Sequence, residues 1–147
     1  MVHRLTDSAG AALRDGFRRR VEAPERDVVA ALAKPDAVAR RLLAAAGVAP
    51  GDLAADGVSV GHRELLALGV EVARQRGVGY VGTEHLLLAV AGLPGSALAK
   101  CGATPEVLGE WLSAIVGESP AHPGTIRRLA GWCRRACQWS RGRARGE

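Results

Sequence analysis

Residues 77–90 read Gly77-Val78-Gly79-Tyr80-Val81-Gly82-Thr83-Glu84-His85-Leu86-Leu87-Leu88-Ala89-Val90, and this stretch decides the class of the fold. Three glycines release the backbone from what precedes them, Thr83 stands where an N-cap is wanted, and Glu84 and His85 open a helix. From Leu86 to Val90 every residue is apolar. A helix without a polar stripe has to be enclosed by other elements, so a helical bundle is expected around it.

Composition agrees. A chain of 147 residues, 48% hydrophobic, can bury one sizeable core. Aromatic residues make up only 3%, β-branched runs are short, and Ala, Leu and Arg abound, which favours helix over sheet. The expected fold class is all-α.

Working outward, helix signals recur in two rounds. Thr6 and Asp7 start a helix that reaches to about Arg20. Pro24-Glu25-Arg26-Asp27 starts a second, with Pro in the first turn, and Pro35-Asp36 a third that carries Val38, Leu42 and Leu43 to Gly47. A short turn lies around Asp52 and Leu53, and Asp56-Gly57 is a natural joint. The second round opens with Ser59 as N-cap of a long helix to Gly77. Thr83 caps the central helix, which ends near Gly92; a helix over 94–101 stops at Gly102. Thr104-Pro105-Glu106 starts the last, with Val107, Leu108, Trp111, Leu112, Ile115 and Val116 at helical spacing. Thr6 thus matches Ser59, Glu25 matches Glu84, and Gly47 matches Gly102. Two repeats follow, at about 3–56 and 57–117.

The run from Tyr80 to Leu88, with Ala73-Arg74 before it and Leu98 and Cys101-Gly102 after it, closely resembles the signature of the Clp N-terminal repeat domain. That domain is the substrate-receiving module of ClpA and ClpC type unfoldases. The resemblance covers residues 3 to 117 and implies a pseudo-twofold bundle of about four helices per repeat, the first copy degenerate. It implies a non-catalytic adaptor, substrate receptor or decoy whose partners are Clp ATPase and protease components or their clients. In ClpC-like members such pockets take phosphorylated arginine, and carried over residue by residue this implies ligand contacts at Arg4, Thr6, Glu25, Ser59, Thr83 and Glu84. Ser59 and Glu84 would form one pocket, and Thr6, Arg4 and Glu25 a weaker twin.

The chemistry of these residue types suits a phosphoarginine or an Arg-rich peptide. A helix N-terminus offers free N–H groups to a phosphate, and a carboxylate matches a guanidinium bidentately. The same residues also have an ordinary reading: Thr6, Ser59 and Thr83 as N-caps, Glu25 and Glu84 as first-turn acids. The first copy departs from the second. Nineteen residues separate Thr6 from Glu25, against twenty-five between Ser59 and Glu84. Ala23-Pro24 replaces Gly-Thr before Glu25, and Arg26 is placed to occupy that carboxylate itself. Leu5 and Val58 stand where the family has an aromatic residue.

The net charge of +5 is unevenly placed. Residues 1–117 carry 13 Lys+Arg and 13 Asp+Glu, while 118–147 carry seven Arg against Glu118 and Glu147. A neutral body argues against a phosphate-backbone groove on the domain and leaves polyanion affinity to the tail. There Ile126, Leu129, Cys133, Ala136 and Cys137 share one side of a helix expected from Thr125, with Trp132 and Trp139 seven apart. Such a basic amphipathic helix suits docking on the bundle, a partner, or an anionic surface.

Three cysteines, with no apolar leader at the start, suggest a reducing, cytoplasmic setting. No run is long enough for a membrane span. Cys133 and Cys137, one helical turn apart, with His122 or Cys101, make only a weak metal pattern, and no cofactor or metal is expected. No P-loop occurs, so a receptor domain without ATPase modules is expected. The other class of reading is this scaffold recruited as a small-molecule binder or enzyme, as in a biosynthetic or resistance pathway. His62, His85, Ser59, Thr83 and Glu84 would supply its chemistry, but no spacing imposes a nucleophile and base, and no catalytic residue is expected.

Overall fold

The computed structural model describes residues 4–53 and 57–116. Within them β1 (Arg4–Leu5) leads into α1 (Asp7–Phe17), and β2 (Glu22–Pro24) into α2 (Glu25–Leu32). Next come α3 (Val38–Ala46) and a 3-10 turn (Pro50–Asp52). The second half runs β3 (Ser59–Gly61), α4 (His62–Gln75), β4 (Tyr80–Val81), α5 (Thr83–Ala91), α6 (Ala97–Lys100) and α7 (Pro105–Val116). Residues 54–56, which include the expected joint at Asp56, and the tail with Cys133, Cys137, Trp132 and Trp139 lie outside the described residues.

All nine residues of α5 are buried: the apolar run from Leu86 to Ala91 requires enclosure, and Thr83, Glu84 and His85 at its start are buried with it. α4 lies along it, and α1, α2, α3 and α7 also touch it. Close approach of α4 depends on Gly69, where an added Cβ would sit 2.6 Å from Leu86 Cδ2. Leu86 and Leu87 are fully enclosed; burying each is worth roughly 1.5–3 kcal/mol relative to exposure. α1 and α2 also pack closely on each other.

The helical class holds, with one addition: four strands of two or three residues, placed by tertiary pairing. β1, from the start of the first half, pairs parallel with β4 at the threshold of α5. β3, from the start of the second half, pairs antiparallel with β2 at the threshold of α2. Each half therefore lends its first strand to the other, but the two exchanges differ in direction.

Several helix limits are as expected and others shift for identifiable reasons. Thr6 Oγ1 accepts from Ala9 N at 3.1 Å and caps α1; Thr104 Oγ1 accepts from Val107 N at 3.3 Å and caps α7. Gly47 ends α3 at φ 73°. However, α1 stops at Phe17 and not near Arg20, because Arg18 and Arg19 turn left-handed at φ 46° and 64°. Pro24 is the N-cap of α2, one position before the expected first turn. Ser59 is not the N-cap of α4: bonds from Glu25 N to Val58 O and from His62 N to Val21 O hold residues 58–62 extended, so Gly61 caps the helix. The α6 helix is only four residues long. On α7, Leu108 and Leu112 reach the core, while Trp111 is 42% exposed and Val116 also faces out.

Candidate functional site

The thresholds of α2 and α5 carry the two signature carboxylates, and their surroundings differ. Glu25 is fully buried. Its carboxylate accepts from Ser96 Oγ at 2.5 Å, Ala97 N at 2.8 Å and Leu98 N at 3.2 Å. These are the amides that begin α6, so Glu25 caps that helix across the fold. Arg26, placed by sequence to hold this carboxylate, is exposed and is not its partner. Nothing in the spacing of the first copy announces Ser96, which lies 71 residues away.

Glu84 is 5% exposed, and among the described residues its carboxylate accepts no hydrogen bond. It lies over Gly82: an added Cβ there would come within 2.4 Å of Glu84 Oε2. A side chain at position 82 would displace the carboxylate from this place. Gly82 is also the N-cap of α5 in place of Thr83. The Thr83 hydroxyl serves another helix, accepting from Ala39 N of α3 at 3.4 Å.

His85 is fully buried, and its Nδ1 accepts from Gly82 N at 3.0 Å. A ring nitrogen that accepts carries a lone pair, so Nδ1 holds no proton to share with Glu84. The 4.0 Å separation of His85 Nδ1 from Glu84 Oε1 is accordingly not an ion pair. Tyr80 stacks at a tilt on the His85 ring, centroids 5.6 Å apart.

Strand exchange re-sorts the remaining site residues. Thr6 N donates to Val81 O at 3.0 Å and Arg4 N to Gly79 O at 3.4 Å, so Arg4 and Thr6 stand beside the threshold of α5. Ser59 pairs with Pro24, and its hydroxyl donates to Glu22 Oε2 at 3.3 Å. The expected grouping of Ser59 with Glu84, and of Arg4 and Thr6 with Glu25, is therefore corrected to the reverse. A separate concavity of about 250 Å³ between α1, the α2–α3 connection and α5 is lined in part by Ser8, Lys34, Asp36 and Thr83.

Among the described residues no cluster of three or more His, Cys, Asp or Glu side chains is arranged to hold a metal. No helix among them is long and apolar enough to cross a membrane. No protein-family model matches the chain, and no curated protein matches it.

Proposed function

We propose that the chain is a non-catalytic peptide-binding module of the Clp chaperone-protease kind, its two halves related by a pseudo-twofold axis. Its receiving group is the Glu84 carboxylate. One observation carries this reading: of the two signature carboxylates, Glu84 alone is nearly buried yet accepts no hydrogen bond. A carboxylate with no protein donor and a narrow window on solvent is open to a cationic partner that brings its own donors. An arginine side chain of a client peptide fits that requirement. A phosphate carried on the guanidinium would meet the exposed Arg4 and the Thr6 hydroxyl, whose oxygen already accepts from Ala9 N and whose proton is free to be donated.

In this reading Glu25 does not receive ligand, because three donors already fill it. The site is single. Calorimetry with a phosphoarginine peptide and with its unmodified arginine counterpart tests it. A charge-assisted bond is worth roughly 1.5–3 kcal/mol, so Glu84→Gln should weaken binding by about tenfold or more. Equal affinity for the wild type and Glu84→Gln, or no binding of either peptide, removes the pocket from the account.

A further inference from the structure

The C-terminal end of α1, the turn after it and the start of α4 enclose a second concavity, of about 660 Å³. Its rim is arginine: Arg14, Arg18, Arg19, Arg20 and Arg63. Its floor is apolar, formed by Leu13 and by Phe17, whose ring meets His62 edge-on at 4.9 Å. Val21 stands at the edge with 77% of its surface exposed. A helix C-terminus ordinarily attracts a cation or two; five around one opening exceed that need.

Most of these guanidiniums have no direct carboxylate partner among the described residues. Arg20 faces Asp27 at 3.6 Å, but Arg14, Arg18, Arg19 and Arg63 have no carboxylate within 4.0 Å among the described residues. Asp15, nearby, is held by Lys34. Two of the four unpaired arginines also occupy backbone conformations that glycine adopts without strain, at φ 46° and 64°. Such conformations persist only where the surrounding structure enforces them, as the bond from Arg18 N to Arg14 O does here. The balanced charge of residues 1–117 conceals this patch: Asp15 and Asp27 flank Arg18 and Arg20 on the neighbouring concavity but already pair with Lys34 and Arg20, and among the described residues no acid lines this one.

We propose that this groove is a docking site for an acidic peptide segment of a partner protein, one that alternates carboxylates with an apolar anchor. The carboxylates pair with the arginine rim as bidentate partners, and the anchor covers Leu13, Phe17 and Val21. The chain's own tail, with seven Arg against two Glu, has the wrong sign to fill it. A nucleic acid would satisfy the rim but leave the apolar floor uncovered. The groove is distinct from the Glu84 pocket, which takes the opposite charge.

Fluorescence anisotropy with a labelled peptide alternating Glu and Leu, offered to the full chain at low salt, tests this. The wild type should bind it, and the affinity should fall as salt rises. Arg18→Glu with Arg63→Glu should weaken binding by about tenfold or more; Arg14→Glu with Arg63→Glu repeats the test without touching the turn. The tail keeps its arginines in every variant, so the difference reads the groove alone. A Glu and Ser peptide should bind more weakly than the Glu and Leu peptide. Unchanged affinity in both double variants overturns the proposal. So does equal or tighter binding of the Glu and Ser peptide or of a single-stranded oligonucleotide of matched charge.

Discussion

Glu25 and Glu84, matched to each other by the sequence expectation, end in opposite states. The first is bonded to the N-terminus of α6; the second lies over a glycine without a donor. Replacing Glu25 by Ala leaves Ser96 Oγ and the amides of Ala97 and Leu98 without their buried acceptor. At roughly 1–3 kcal/mol for each unsatisfied group, Glu25→Ala should lower the unfolding free energy by about 3 kcal/mol or more in urea titrations. Glu84→Gln, by contrast, should leave it within about 0.5 kcal/mol. A Glu25→Ala protein as stable as the wild type would mean that α6 is capped by other means. Arg18 is a further residue-scale case. Glycine at this left-handed position should stabilise the fold by about 1 kcal/mol, read as a raised thermal midpoint, while weakening capture of the acidic peptide.

Among the elements, the short strands do more than their length suggests. Two residues of β1 and two of β4 tie the entry of α1 to the entry of α5 through the bond from Thr6 N to Val81 O. Thr6 both ends this strand pair and caps α1, a role whose loss ordinarily costs about 1 kcal/mol. The α1 helix is tied to the α2–α3 connection by the ion pair of Asp15 and Lys34. The hydrogen bond and charge of Lys34 hold the Asp15 carboxyl below its ordinary value of 3.8, with Arg14 and Arg18 adding to the effect. A lowered folded value means that the pair stabilises fully above the unfolded carboxyl's pKa and is lost as pH falls through the folded one. Urea midpoints of the wild type and Asp15→Asn should therefore differ slightly at neutral pH and converge in acid. The pair is exposed, with about half of each side chain accessible, so high salt should also narrow the gap. A difference that persists in acid would assign the effect to packing.

Over the whole molecule, charge is segregated twice. Residues 1–117 balance to zero in total yet gather five arginines around one groove, and 118–147 hold the entire excess of +5. If the tail is an appendage, truncation after Gly117 should leave the thermal midpoint nearly unchanged and abolish salt-sensitive binding to anionic vesicles. A large fall in the midpoint would make the last thirty residues part of the core. The groove should keep its preference for the acidic peptide in the truncated chain only if that midpoint holds.

Sequence alone determined that α5 is enclosed, because from Leu86 onward no rotation of the helix presents a polar face to water. It also determined the helical class, the caps at Thr6 and Thr104 and the glycine stop at Gly47, each set by a few neighbouring residues. Only the tertiary structure decided which residues share a site. Strand exchange carries Arg4 and Thr6 to the threshold of α5 and Ser59 to that of α2, and α6 claims the Glu25 carboxylate from 71 residues away. Periodicity and capping act within a turn or two of helix, whereas these partners are chosen by how the packed halves bring unsatisfied donors and acceptors together. The arginine groove escaped the sequence for the same reason: a run of Arg18-Arg19-Arg20 is ordinary surface until a left-handed turn folds it over Phe17 and Arg63 arrives from α4.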